Sequence, residues 1–191
     1  LNKKELRKYL KQKLDTMNPE TYHRYSSFIA SHLFNHNMWE KHDTIALTIS
    51  RFPEVDTWPI IRKAWEKGKK VVVPKCLPEQ RQMIFKEITS FDQLEKVYFG
   101  LLEPVDKLTK EVLKTDIDMI IVPGLGYTAN GSRLGFGGGY YDRYLEDYKG
   151  ETLSLAFSEQ MVEDLPTEKH DCRVGAIITE KGWISCMERK K

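Results

Sequence analysis

The sequence is poor in the features that mark several protein classes. It carries only three cysteines. Cys76, Cys172 and Cys186 are spaced for neither a zinc site nor a disulfide framework. The five histidines are scattered without paired-ligand spacing, which argues against a structural transition metal. No apolar run approaches the roughly 20 residues needed to cross a bilayer. Neither sign of charge prevails: 30 basic against 28 acidic residues leave a formal charge of +2. That balance gives no electrostatic case for nucleic acid or an anionic membrane as a partner. The first residues form a charged helical pattern rather than a signal peptide. A reducing, cytoplasmic setting is the simplest reading of these absences.

What is present has a clear rhythm. The 191 residues suit a single domain, 1–191, with a substantial core. Residues 2–16 read as an amphipathic helix in which Leu6, Leu10 and Leu14 recur every four residues. Lys3, Arg7 and Lys11 repeat at the same spacing on another line, so their charges stack on one face. Asn18 and Pro19 suit the cap and first turn of a second helix reaching residue 35. Apolar runs at 44–49, 70–74, 117–122, 152–157 and 174–179 read as strands, with helical segments at 56–67, 106–114 and 137–148. Residues 83–88 add an edge or hairpin strand. Val- and Ile-rich strands separated by helices predict an α/β fold, a three-layer domain with a mostly parallel sheet and helices on both faces.

The most informative segment runs from Pro123 to Leu145 and holds more than half of the twelve glycines. It follows a strand-like stretch and ends in a helix start. Glycine N–H groups approach a phosphate without side-chain interference, and a helix N-terminus favours negative charge. Arg133 and Arg143 bracket the loop with positive charge, although Arg143 serves equally well in a salt bridge on the new helix. A Walker A loop ends in Gly-Lys-Ser/Thr, which the chain lacks. The dinucleotide pattern is met by Gly124, Gly126 and Ala129, but Asn130-Gly131 brings a turn where that helix should continue. Asp142 admits two readings: an acid favoured by the helix dipole, or a magnesium ligand beside nucleotide phosphates.

In the loop Arg133-Leu-Gly-Phe-Gly-Gly-Gly-Tyr-Tyr-Asp142 the chain resembles the 5-formyltetrahydrofolate cyclo-ligase family, whose loop has the form R-L-G-x-G-x-G-Y-Y-D. Lys3 to Arg7 resembles the family's N-terminal K-x-x-x-R, and Arg51 to Thr57 its acidic substrate segment. Phe157 to Gln160, Leu165-Pro166 and His170-Asp171 resemble its C-terminal signature, so the likeness covers nearly the whole chain. It implies ATP- and magnesium-dependent closure of 5-formyltetrahydrofolate to 5,10-methenyltetrahydrofolate, releasing ADP and phosphate. In that chemistry the γ-phosphoryl group moves to the formyl oxygen. N10 then attacks the formyl carbon and phosphate departs. Such a reaction asks mainly for positioning and charge neutralisation.

Residue roles follow from the same resemblance. Arg133, Lys3 and Arg7 are the implied catalytic cations. The implied ATP site comprises Lys3, Lys4, Glu5, Leu6 and Arg7, together with Arg133, Leu134, Gly135, Phe136, Gly137, Gly138, Gly139, Tyr140 and Tyr141. Asp142 is the implied magnesium ligand. Ile49, Glu54 and Tyr140 are the implied substrate contacts, with the Glu54 carboxylate accepting from the pterin N–H groups. Phe52 and Trp58 suit either flanking the folate or ordinary core burial. Some relatives carry a basic residue in the loop, where Phe136 and Gly138 stand here, and some an Asp near the last core strand, where Val174-Gly175 stands. Asp171 lies close by without matching that position. Lacking a cation between Arg133 and Arg143, the loop should be completed by Lys3 and Arg7. The implied partners are small-molecule substrates, on a monomer or weak homodimer. A related ATP-using enzyme with another acceptor, or a non-catalytic nucleotide- or folate-binding module, stand as the alternatives.

Overall fold

The structure, a computed structural model, describes residues 1–186. Helix α1 (Lys3–Asp15) opens on a capping box in which Asn2 and Glu5 each accept the other's backbone N–H. Its buried face is Leu6, Leu10 and Leu14, as the four-residue spacing predicts. Helix α2 (Pro19–Phe34) is capped by Asn18, whose side chain accepts from the Glu20 N–H at 2.8 Å. A short α3 (Asn37–Lys41), one turn that the pattern did not signal, leads to β1 (Thr44–Ala46). Then come α4 (Trp58–Glu66), β2 (Lys70–Leu77) and β3 (Gln82–Ile88). Four short strands follow: β4 (Leu94–Lys96), β5 (Leu102–Pro104), β6 (Lys110–Val112) and β7 (Met119–Ile121). The hairpin β8 (Gly126–Tyr127) and β9 (Arg133–Leu134) precedes α5 (Tyr140–Leu145), and β10 (Glu151–Leu155), β11 (Ala176–Thr179) and β12 (Gly182–Ser185) follow.

Among the described residues eight strands form the main sheet in the order β12-β11-β10-β7-β1-β2-β3-β6. Its centre, from β11 to β2, is parallel, while β12, β3 and β6 join antiparallel. The fold is therefore the expected α/β type with a mostly parallel sheet. Parallel strands buried on both faces need apolar residues at successive positions. In β2, Val71 and Val73 face one core with Ile60 and Ile61 of α4, whereas Val72 faces the other with Phe85 and Ile120. Helices α2, α3 and α4 cover the first face. The second is covered by α5 and the β8–β9 hairpin. Right-handed crossovers leaving the centre in opposite directions place α4 and α5 on opposite faces.

Several expected boundaries move. The helix expected over 106–114 is instead a 3₁₀ turn, Asp106–Leu108, followed by the edge strand β6. Thr109 bonds the Val105 carbonyl through its hydroxyl, and Val112 pairs with Phe85, so the segment is spent on sheet pairing. The helix expected over 137–148 is confined to Tyr140–Leu145, because Gly139 sits at φ +71°. Residues 47–49 leave the ladder of β1 after a bond from the Leu47 N–H to the Val72 carbonyl, yet stay buried or half-buried.

Leu10 is 1 % exposed and fixes α1 to the hairpin. A Cβ at Gly126 would lie 2.6 Å from its Cδ1, so glycine is what admits the helix. Leu10→Ala is expected to lower stability by about 2–5 kcal/mol, as for other emptied leucine sites, measured by urea unfolding.

Candidate active site

Strand order reverses between β1 and β7, for the chain leaves β1 towards β2 and leaves β7 towards β10. Loops that diverge from the carboxyl ends of two adjacent parallel strands leave a crevice. Both segments singled out by the sequence, Arg51 to Thr57 and Pro123 to Leu145, follow those two strand ends.

The first loop is stapled at its base. Ser50 and Thr57, both buried, exchange bonds: Ser50 N–H to Thr57 Oγ1 at 3.0 Å and Thr57 N–H to Ser50 Oγ at 2.8 Å. This closes a turn in which the Glu54 N–H donates to the Arg51 carbonyl at 2.8 Å and the Arg51 N–H to the Glu54 carboxylate at 3.1 Å. Burial pushes the Glu54 carboxyl above its ordinary value, and the Arg51 N–H and charge offset this only in part. Ile49 is in the core beneath the turn. Phe52 is 50 % exposed with its ring against Tyr22, while Trp58 donates to the Ser50 carbonyl and packs on Phe91. Of these two aromatics, Trp58 is framework and Phe52 faces outward. Asp56 rather than Thr57 caps α4, accepting from the Trp58 N–H at 3.1 Å.

The glycine run divides into support and cradle. In the support, Gln160 is buried and donates to the Gly124 and Leu125 carbonyls at 3.1 Å each. The fully buried Tyr127 phenol, pushed up to about 12 by burial, lies so close to Gly124 that a Cβ there would meet its oxygen at 2.7 Å. In the cradle, none of the N–H groups of residues 136–139 donates to another described residue. Two arginines straddle this stretch. Arg7 donates through Nε to the Gly135 carbonyl at 2.8 Å, and Arg143 to the Gly138 carbonyl at 2.9 Å and the Arg81 carbonyl at 2.8 Å. Arg143 also lies over the Tyr140 ring, its carbon 4.9 Å from the centroid. With α5 only six residues long, the helix dipole adds less than the pattern suggested, and the free N–H groups carry the cradle.

Arg133 turns inward beneath the loop. Its side chain is 4 % exposed, donating to the Pro123 carbonyl at 2.9 Å and to Asp142 Oδ1 at 3.1 Å. The Cys172 N–H reaches the same Oδ1 at 3.1 Å. Lys3 meets the next residue along, Asp171, at 2.8 Å and Glu168 at 3.0 Å. Burial pushes the Asp171 carboxyl up, but the Lys3 ammonium and the Glu168 N–H outweigh it and hold it below its usual value. The opposing balance raises Lys3.

Arg7, the 135–139 loop, Tyr140, Arg133 and Asp142 thus meet, and Lys3 joins them through Asp171 and Cys172. Lys4 is exposed, Glu5 is committed to the helix cap, and Leu6 and Leu134 are buried in the packing of α1 on the hairpin. Phe136 projects outward. In the sequence Gln160 and Asp171 stood in the C-terminal signature without an assigned role, and the Ser50–Thr57 staple had no signal.

The 5-formyltetrahydrofolate cyclo-ligase family matches residues 1–180. The chain is 32 % identical over 189 residues to 5-formyltetrahydrofolate cyclo-ligase of Mus musculus, covering 93 % of each chain. It is 28 % identical over 179 residues to the Escherichia coli K12 enzyme of the same name, covering 91 % of this chain and 98 % of the relative. The solved structure of Aquifex aeolicus 5,10-methenyltetrahydrofolate synthetase is similar, with a TM-score of 0.87, 33 % identity and coverage of 99 % and 95 %.

Removing Arg133 strands a largely buried carboxylate. Arg133→Ala is expected to cost about 3–5 kcal/mol in denaturant unfolding. Arg133→Lys should recover only part of this, since one ammonium does not reproduce a guanidinium fork.

Proposed function

The chain belongs to the 5-formyltetrahydrofolate cyclo-ligase family, and we propose that it uses ATP and magnesium to close 5-formyltetrahydrofolate to 5,10-methenyltetrahydrofolate, releasing ADP and phosphate. What supports the reading is that the Glu54 turn and the glycine loop leave the carboxyl ends of the adjacent strands β1 and β7, and that the two segments offer complementary surfaces. One is a run of free N–H groups flanked by Arg7 and Arg143, suited to phosphates. The other is the Glu54 turn, suited to the donor edge of a pterin.

In this account Arg7 and Lys3 hold the ATP phosphates from the α1 side and the loop N–H groups hold them from below. Glu54 orients the pterin so that the formyl oxygen faces the γ-phosphorus. That oxygen takes the phosphoryl group as the bond to ADP breaks. N10 then attacks the formyl carbon, loses its proton, and phosphate leaves with the former formyl oxygen. Arg133 acts by positioning Asp142 and the loop. Tyr140 and Ile49 form the apolar side of the folate site. Magnesium fits the donors here: both hydrogen bonds to the Asp142 carboxylate fall on Oδ1, leaving Oδ2 as a hard oxygen ligand. When bound there it would neutralise phosphate charge.

Residues 1–191 would act as one catalytic domain, as a monomer or weak homodimer in a cytoplasmic setting that keeps the three thiols reduced. Among the described residues no helix is long and apolar enough to cross a membrane.

Purified protein with magnesium, ATP and 5-formyltetrahydrofolate is expected to generate the near-ultraviolet absorbance of the methenyl product, and no ATP-dependent change would refute the reading. Arg7→Ala should raise KM for ATP about 10- to 100-fold, the loss expected for charged hydrogen bonds. Glu54 must be ionised to accept two donors. Because its carboxyl is raised, folate affinity should fall as pH drops through a value above the ordinary carboxylate range. Glu54→Gln should bind weakly and show no such fall.

A further inference from the structure

Among the described residues three buried side-chain polar atoms lack a hydrogen-bond partner: His42 Nε2, Arg133 Nε and the Tyr141 hydroxyl. His42 precedes β1 and lies at the opposite end of the strands from the crevice. The other two belong to the site and to one packing unit, with the Arg133 guanidinium carbon 6.0 Å from the Tyr141 ring centroid. Buried donors left unmet cost stability, so each calls for an explanation.

The arginine already serves Pro123 and Asp142, which accounts for its burial. Tyr141 has no such account. Its ring packs against Phe85, where phenylalanine would serve as well. Burial first, with the nearby Cys76, Glu54 and Tyr144 adding and Arg133 opposing, keeps the phenol protonated far above neutral pH. Tyr141 is thus a neutral donor, and it stands in the segment that leaves β7 while the Glu54 turn leaves the adjacent strand β1.

That neighbourhood has a chemical complement. Along one edge a pterin presents a 2-amino group, the N3–H and a 4-oxo group, two donors followed by an acceptor. A carboxylate at Glu54 satisfies the two donors and leaves the oxo group needing a donor beside it. We infer that the Tyr141 hydroxyl donates to the pterin 4-oxo group, which makes Tyr141 a folate-recognition residue although it stands at the end of the phosphate loop. Arg133, stacked on the same ring, holds it in place. The free loop N–H groups remain for ATP, so one segment would read both substrates. The inference rests on the cyclo-ligase reading.

Tyr141→Phe keeps the ring and removes only the hydroxyl. KM and the equilibrium dissociation constant for 5-formyltetrahydrofolate should rise about tenfold, a loss of about 1.4 kcal/mol. KM for ATP should stay within about twofold, and thermal stability without substrates should be unchanged or higher, since an unmet donor has gone. A lower melting temperature with unchanged folate affinity would make the hydroxyl structural and overturn the inference. So would a rise in KM for ATP alone. If the unmodified protein forms no methenyl product, the cyclo-ligase reading itself fails. Product formation together with unchanged folate affinity in Tyr141→Phe would refute only this inference.

Discussion

Arg133 and Asp142 meet beneath the glycine loop, where charges this buried persist only if their other polar edges are also satisfied or reserved. The guanidinium spends one nitrogen on the Pro123 carbonyl at the end of the central strands and another on the first turn of α5. It therefore ties the start of the glycine run to its end, with the hairpin and the cradle between. The cradle's left-handed glycines supply freedom, and this pair removes most of it. Preorganised donors of this kind are what phosphoryl transfer demands of a protein.

The sheet decides what can face that cradle. Because β1 and β7 are neighbours whose onward connections part, the Glu54 turn and the glycine run open on the same crevice although about seventy residues separate them. Helix α1 then closes a third side. Its leucines seat against the hairpin, which brings Arg7 onto the Gly135 carbonyl and Lys3 onto Asp171. One amphipathic helix thus links core packing to the delivery of cations.

Much of this was legible in the residues. Leucines four apart announced α1, whereas the link between its Lys3 and Arg7 and the loop came from the resemblance. Val-rich runs announced strands buried on both faces. The failures have local physical causes. A left-handed Gly139 shortened α5, and cross-strand pairing took the weakly periodic 106–114 for an edge strand. Strand order carries no signature in the sequence, so the exit of the Glu54 turn and the loop from neighbouring strands was not legible there. Arg133 was legible as a cation but not as a brace, since its direction depends on the Pro123 carbonyl and Asp142 below it.

The central claim is that Arg133 is a fixed brace for Asp142 rather than a ligand that moves onto phosphate. A crystal structure with a non-hydrolysable ATP analogue, magnesium and 5-formyltetrahydrofolate tests it most directly. The account predicts Arg133 still bonded to the Pro123 carbonyl and Asp142, with Arg7 and the 136–139 N–H groups on the phosphates. An Arg133 guanidinium withdrawn from Asp142 and seated on the γ-phosphate would contradict it.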